Sequence, residues 1–160
     1  MGKTLYKEDS LKSIDVMKVK MVKETTLDYD YVETITCASD AYRIFEKFGL
    51  AEQAEEVICM ICLNAKGKVI GLHEVSRGDA TTSPVHPREI FKRALVNNAV
   101  SVIVAHNHPS GDPEPSSVDV LITERLQSAG RLLGIRLQNH IIVSPDDYYS
   151  FRGDGNVLDD

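Results

Sequence analysis

The run Val57-Ile58-Cys59-Met60-Ile61-Cys62-Leu63 limits the possible folds most sharply. Seven consecutive apolar residues are too few for an ordinary helix and too unbroken for a strand with one wet face, so Glu56 to Leu63 reads as a buried strand. Val100 to Ala105 and Ile135 to Val143 are further strands of that kind. Asn64-Ala65-Lys66-Gly67-Lys68 is a turn, and Val69 to Val75 is the returning strand. Between them lie segments with helical spacing. Ser39-Asp40 caps a short helix carrying Tyr42, Phe45 and Phe48, with Gly49 as its stop. His86-Pro87 opens a second helix with Ile90, Phe91, Ala94 and Leu95 as its apolar stripe. Ser116 begins a third, longer helix, with a stripe of Val118, Leu121, Ile122, Leu126, Ala129 and Leu133 and a stop near Gly134. The class expected is mixed α and β (α+β): one domain with a central mixed sheet flanked by helices.

The flanks are less regular. Met17 to Lys23 alternates apolar and basic residues as a half-buried or edge strand would. Gly78 to Val85 is a polar loop, Tyr148 to Phe151 a last short strand, and Arg152 onward a frayed end. The expected organisation is a lead-in over 1–29, the domain over 30–152 and a flexible tail over 153–160.

Eighteen Lys and Arg against twenty-four Asp and Glu give a net charge of -6, which argues against tight direct DNA binding. No apolar run approaches the roughly 18 residues of a membrane span, and the first residues lack the apolar centre of a signal peptide. Three cysteines, an odd and sparse count, do not make a secreted disulfide scaffold, so a cytoplasmic protein is expected. Cys59 and Cys62 have a redox or zinc spacing, but three residues apart on a strand they face opposite ways. No second Cys pair completes a four-thiolate site, and the two read as core residues.

The chemistry concentrates in residues 106–119. His106 and His108 lie two apart at the end of an apolar strand, so both imidazoles project from one face. Asp119 follows in the first turn of the third helix; if the loop folds that turn over the strand end, His, His and Asp converge. Three protein ligands with an open fourth position is the arrangement of catalytic zinc. Ser116 and Asp119 also fit a helix capping box, a purely structural reading of the same pair. His140 alone in its strand reads as a satisfied core or edge residue, and Asn107 as a residue of the cleft.

The pattern His-x-His-Pro, then Ser eight and Asp eleven residues after the second His, resembles the JAMM (MPN+) metalloprotease motif. With His-Pro-Arg-Glu-Ile-Phe at 86–91 and His-Asn-His-Pro-Ser-Gly at 106–111, the chain is similar to the bacterial RadC-like (UPF0758) branch of that superfamily. The resemblance implies an MPN/JAB-like, cytidine-deaminase-like fold and a Zn²⁺ held by His106, His108 and Asp119. It implies Ser116 as a donor to the oxyanion and a glutamate general base on an earlier strand. Glu56 fits that position, with Glu74 as the competitor and Glu55 next. The activity implied is a zinc metallopeptidase or isopeptidase acting on a peptide or protein. The alternatives are a non-catalytic MPN-fold binding module and a factor of DNA repair or recombination. Longer RadC-like proteins carry a helix-hairpin-helix segment before this domain, and residues 1–30 are too short for one, which weakens the DNA reading.

Overall fold

The computed structural model describes residues 13–30, 32–78, 85–154 and 157–158. Among these residues eight elements follow one another: α1 (Ala38–Phe48), β1 (Glu56–Leu63), β2 (Val69–Gly78), α2 (Pro87–Val96), β3 (Ser101–Asn107), α3 (Ser117–Leu133), β4 (Arg136–Val143) and β5 (Tyr148–Ser150). The five strands form one sheet in the order β2-β1-β3-β4-β5. Only β3 and β4 run parallel; the other neighbours are antiparallel. A parallel neighbour needs a crossover, and α3 supplies it.

Alternation along β1 builds two cores. Val57, Cys59, Ile61 and Leu63 face α1, where they meet Ala41, Ile44 and Phe45. Ile58, Met60 and Cys62 face α2 and α3, where they meet Ile90, Phe91 and Leu126. The mixed three-layer α/β class is therefore as expected. Cys59 and Cys62 lie in different cores, and burial pushes both thiols up to about 12. Cys37 is exposed. An alkylating reagent at mildly alkaline pH is expected to label Cys37 alone in the native protein. Labelling of Cys59 or Cys62 without denaturant would contradict their burial.

Several expectations need correction. Met17 to Lys23 is no strand: Val19 is 73% and Met21 51% exposed. Alternation is necessary for an edge strand, but pairing also needs a free sheet edge within reach, and no such ladder forms. Helix α1 starts one residue before Ser39 and is capped at Cys37, with Asp40 at N3 accepting from the Thr36 and Cys37 amides. Beyond β5, Leu158 is buried in the α2/α3-side core, and the Val157 amide bonds Phe151 O. Residues 79–84 of the expected polar loop lie outside those described. Among the described residues no helix is long and apolar enough to cross a membrane.

Helix α3 keeps half of its expected stripe inward: Leu126 is buried, and Ile122 and Ala129 pack against the same core. Val118, Leu121 and Leu133 are about half exposed, while Asp119, Thr123, Leu126 and Gly130 form the buried face. Gly130 permits the close approach to the sheet, since a Cβ there would collide with the Ile135 carbonyl. At the other end of the same face, two polar residues point inward. Their partners explain why.

Candidate metal centre

His106 is the penultimate residue of β3 and points toward α3, on the side of Val104. Its Nδ1 lies 2.9 Å from Nε2 of His140 on neighbouring β4. The Nδ1 of His140 lies 2.6 Å from Oγ1 of Thr123, which donates to the Asp119 carbonyl at 2.7 Å. A carbonyl can only accept, so the Thr123 proton is spent on it and Oγ1 accepts from Nδ1–H of His140. Burial holds His140 well below its ordinary pKa, and the adjacent His106 adds to this, so the ring is neutral and its Nε2 accepts. His106 must then carry its proton on Nδ1, which leaves a lone pair on Nε2. The His140 ring stacks on Phe151 at 4.8 Å, which fixes its plane.

His108 reaches the same state by another route. Past the strand end, its Nδ1–H donates to the Asp112 carbonyl at 2.8 Å, within the loop that Pro109 opens. Its Nε2 is 3.1 Å from Nε2 of His106. Asp119 comes from the first turn of α3. Its Oδ2 accepts from the Ser116 amide and hydroxyl, each at 2.7 Å, while its own amide donates back to Ser116 Oγ at 3.2 Å. The capping box is thus real, and it aims Asp119 inward. Oδ1 lies 3.2 Å from His106 Nε2, and Oδ2 is 3.4 Å from His108 Nε2.

Two lone pairs and a carboxylate this close repel one another, so a positive charge belongs among them. A proton serves: the bond to Asp119 raises the pKa of His108, although burial opposes it. Burial works against charge on Asp119 too, yet its setting between the two imidazoles and the Ser116 hydroxyl holds its carboxyl far below the usual range. A metal ion serves as well. Four donors about 2.0–2.1 Å from a tetrahedral ion lie about 3.3 Å apart, close to the separations found here. The three residues thus form a group able to hold a metal ion.

Glu56 lines the same cavity, of about 320 Å³, together with Ile58, Val104, Ser116, Val118 and Ile122. The β1–β3 register ends at Ile58 opposite His106, and Glu56, two residues earlier on β1 and so on the same face as Ile58, lines the cavity beside His108. Glu74 is not brought there. It pairs across from Cys59, on the α1 side of the sheet, and binds Arg77 at 2.9 Å. Glu55 precedes β1 with its side chain exposed. Ser116 is beside the donors, with its hydroxyl proton directed to Asp119.

The sequence reading missed Thr123 and gave His140 and Asn107 other roles than the ones they have. Thr123 stands four residues after Asp119, hence on the same helix face, and its polarity within an apolar pattern was the available signal. His140 supports a candidate ligand rather than filling a core. Asn107 faces away from the cavity toward residues 53–57. Partners behind metal-binding imidazoles commonly matter 10- to 100-fold for affinity. Thr123→Val, nearly isosteric, is expected to weaken metal binding by about 10-fold through loss of the fixed tautomer. Competition with a chromophoric chelator measures it, and unchanged affinity would show that the chain through His140 does not govern His106.

A family model for the RadC-like JAB domain matches residues 35–156, which include every element from α1 to β5 and the whole donor set. The chain belongs to the RadC-like JAB domain family. Proteins named UPF0758 are similar to it. One from Thermotoga maritima is 50% identical over 102 residues, 64% of this chain and 46% of that protein. One from Clostridium beijerinckii is 45% identical over 106 residues, 66% of this chain and 46% of that protein. One from Methanosarcina barkeri is 44% identical over 108 residues, 68% of this chain and 47% of that protein. The chain therefore spans about half the length of these relatives. JAB domains include metal-dependent hydrolases, and this RadC-like JAB domain has a His-His-Asp group suited to a metal.

Proposed function

We propose that this chain is a zinc-dependent hydrolase of amide bonds, a peptidase or isopeptidase acting on a peptide or protein in the cytoplasm. The observation that carries the reading is the meeting of two imidazole lone pairs and Asp119 in a cavity that also presents Glu56. Nitrogen and oxygen donors from three residues, with one side left to the cavity, suit catalytic zinc. Zinc bound there would polarise the scissile carbonyl and lower the pKa of water.

The chain's own groups would do the rest. Glu56 would take the proton of the attacking water and pass it to the leaving amine. Ser116 would donate to the oxyanion by turning its hydroxyl away from Asp119, a rotation about one bond. No lysine or arginine is among the described residues lining the cavity, which favours a peptide over a phosphate-bearing nucleic acid. The net charge of -6 favours it too.

The test is hydrolysis of a mixed fluorogenic peptide library by zinc-loaded protein. Cleavage that stops on chelation and returns with zinc supports the reading. Cleavage indifferent to chelation, or none at any zinc level, would overturn it and favour a binding module.

A further inference from the structure

Asn107 separates the two histidine donors in sequence, yet its side chain serves a different strand. It is fully buried, and all its side-chain hydrogen bonds run to the segment that leads into β1. Oδ1 accepts from the Val57 amide at 2.8 Å. Nδ2 donates to the carbonyls of Gln53 at 3.1 Å and Glu55 at 2.9 Å. These contacts cross 50 to 54 residues of sequence.

Their position explains their use. The main-chain pairing of β1 with β3 stops at Ile58 opposite His106. Beyond it, β3 gives way to the loop that carries His108, and Val57 N–H would face that gap without a partner. A buried amide left so would lose its hydration with nothing in return, which destabilises the fold. The primary amide of Asn107 imitates a peptide group and adds one more rung. Glu56 stands between the two gripped points, Glu55 O and Val57 N, so its backbone cannot shift relative to the strand that bears His106. On the far side β2 holds Glu56 through Gly78, which belongs to an edge strand.

We infer that Asn107 is a positioning residue that fixes the Glu56 carboxylate relative to the donor group, acting through the backbone on either side of Glu56. The inference rests on the proposed role of Glu56. Both histidine donors have other supports, His140 and the Asp112 carbonyl, so loss of the Asn107 amide should move Glu56 and leave metal binding nearly as it was. Asn107→Asp tests the donors: it keeps an oxygen for Val57 N–H but sets a carboxylate against two carbonyls. Asn107→Ala removes all three bonds.

The experiment is a double-mutant cycle on the zinc-loaded full chain, with acetohydroxamic acid as the probe of the zinc and Glu56 together. Zinc affinity, by chelator competition, is expected to change less than about 3-fold in the Asn107 variants. Glu56→Gln and each Asn107 variant should weaken hydroxamate binding about 10-fold singly, and no further when combined, because both act on one contact. If Glu56→Gln weakens the probe while Asn107 changes do nothing, or add in full, the inference fails and the role of Glu56 stands. If Glu56→Gln has no effect, or no zinc is held, the proposed function fails first and takes the inference with it. Should neither Asn107 variant fold, amide exchange in the wild-type chain decides. Slow exchange at Val57, matching that of Ile58, is expected; free exchange at Val57 would overturn the inference.

Discussion

Replacing Glu56 by Gln is expected to lower zinc-dependent peptide hydrolysis about 100- to 10,000-fold, the usual loss when a positioned acid–base group is removed. The size follows from what the amide cannot do. Gln keeps the volume and one oxygen of Glu, so the cavity wall and the start of β1 should be unchanged. It cannot take a proton from water at neutral pH, nor return one to a leaving amine. Zinc content should remain at about one per chain, since Glu56 is outside the donor group. Single-turnover rates beside metal analysis separate the two effects. A variant with zinc intact and an unchanged rate would remove Glu56 from the mechanism. Glu74→Gln is the matched control. Its carboxylate lies on the α1 side in an ion pair with Arg77, and the expected change is under about 2-fold, as for an exposed pair.

Asp119→Ala should abolish stoichiometric zinc. Asp119 is the only acidic member of the group, and two neutral imidazoles at 3.1 Å make a weak site without its charge. The same substitution strips Oδ2 from the Ser116 amide and hydroxyl, and loss of a capping contact destabilises a helix by about 1 kcal/mol. Asp119→Asn distinguishes the two contributions. Asn can keep an oxygen for the cap while losing the negative charge, so its thermal stability should stay nearer to that of the metal-free parent. Its zinc binding should fail as in the alanine variant. Full zinc occupancy in either variant, by mass spectrometry after dialysis, would show that Asp119 only caps α3.

Much of this fold was legible because its signals are local. The apolar run of β1, the turn at 64–68, Pro87 opening α2 and Gly134 ending α3 each depend on neighbouring residues only. Met17 to Lys23 failed for the opposite reason, since alternation describes a strand's two faces but not whether an edge waits to pair with it. The orientation of α3 was legible only in part, since Ile122, Leu126 and Ala129 pack inward while Val118, Leu121 and Leu133 do not. Its largest apolar side chains suggested one face, yet Asp119 and Thr123 turn inward because their partners lie on β3 and β4. The meeting of His106, His108 and Asp119 could be read from strand period and helix start. The supporting bonds could not, because His140 stands 34 residues from His106 and Asn107 stands 50 from Val57. Choosing Glu56 over Glu74 required knowing which face of β1 looks at α3, a matter of register that sequence separation alone does not settle.

X-ray absorption at the zinc edge is the sharpest test of zinc held by His106, His108 and Asp119. Zinc-loaded, dialysed protein is predicted to show only nitrogen and oxygen neighbours near about 2.0–2.1 Å, with the outer-shell scattering of two imidazoles. A sulfur shell at about 2.3 Å would place the metal on a cysteine instead. That result, or a sample that keeps no zinc through dialysis, would rule out zinc on His106, His108 and Asp119.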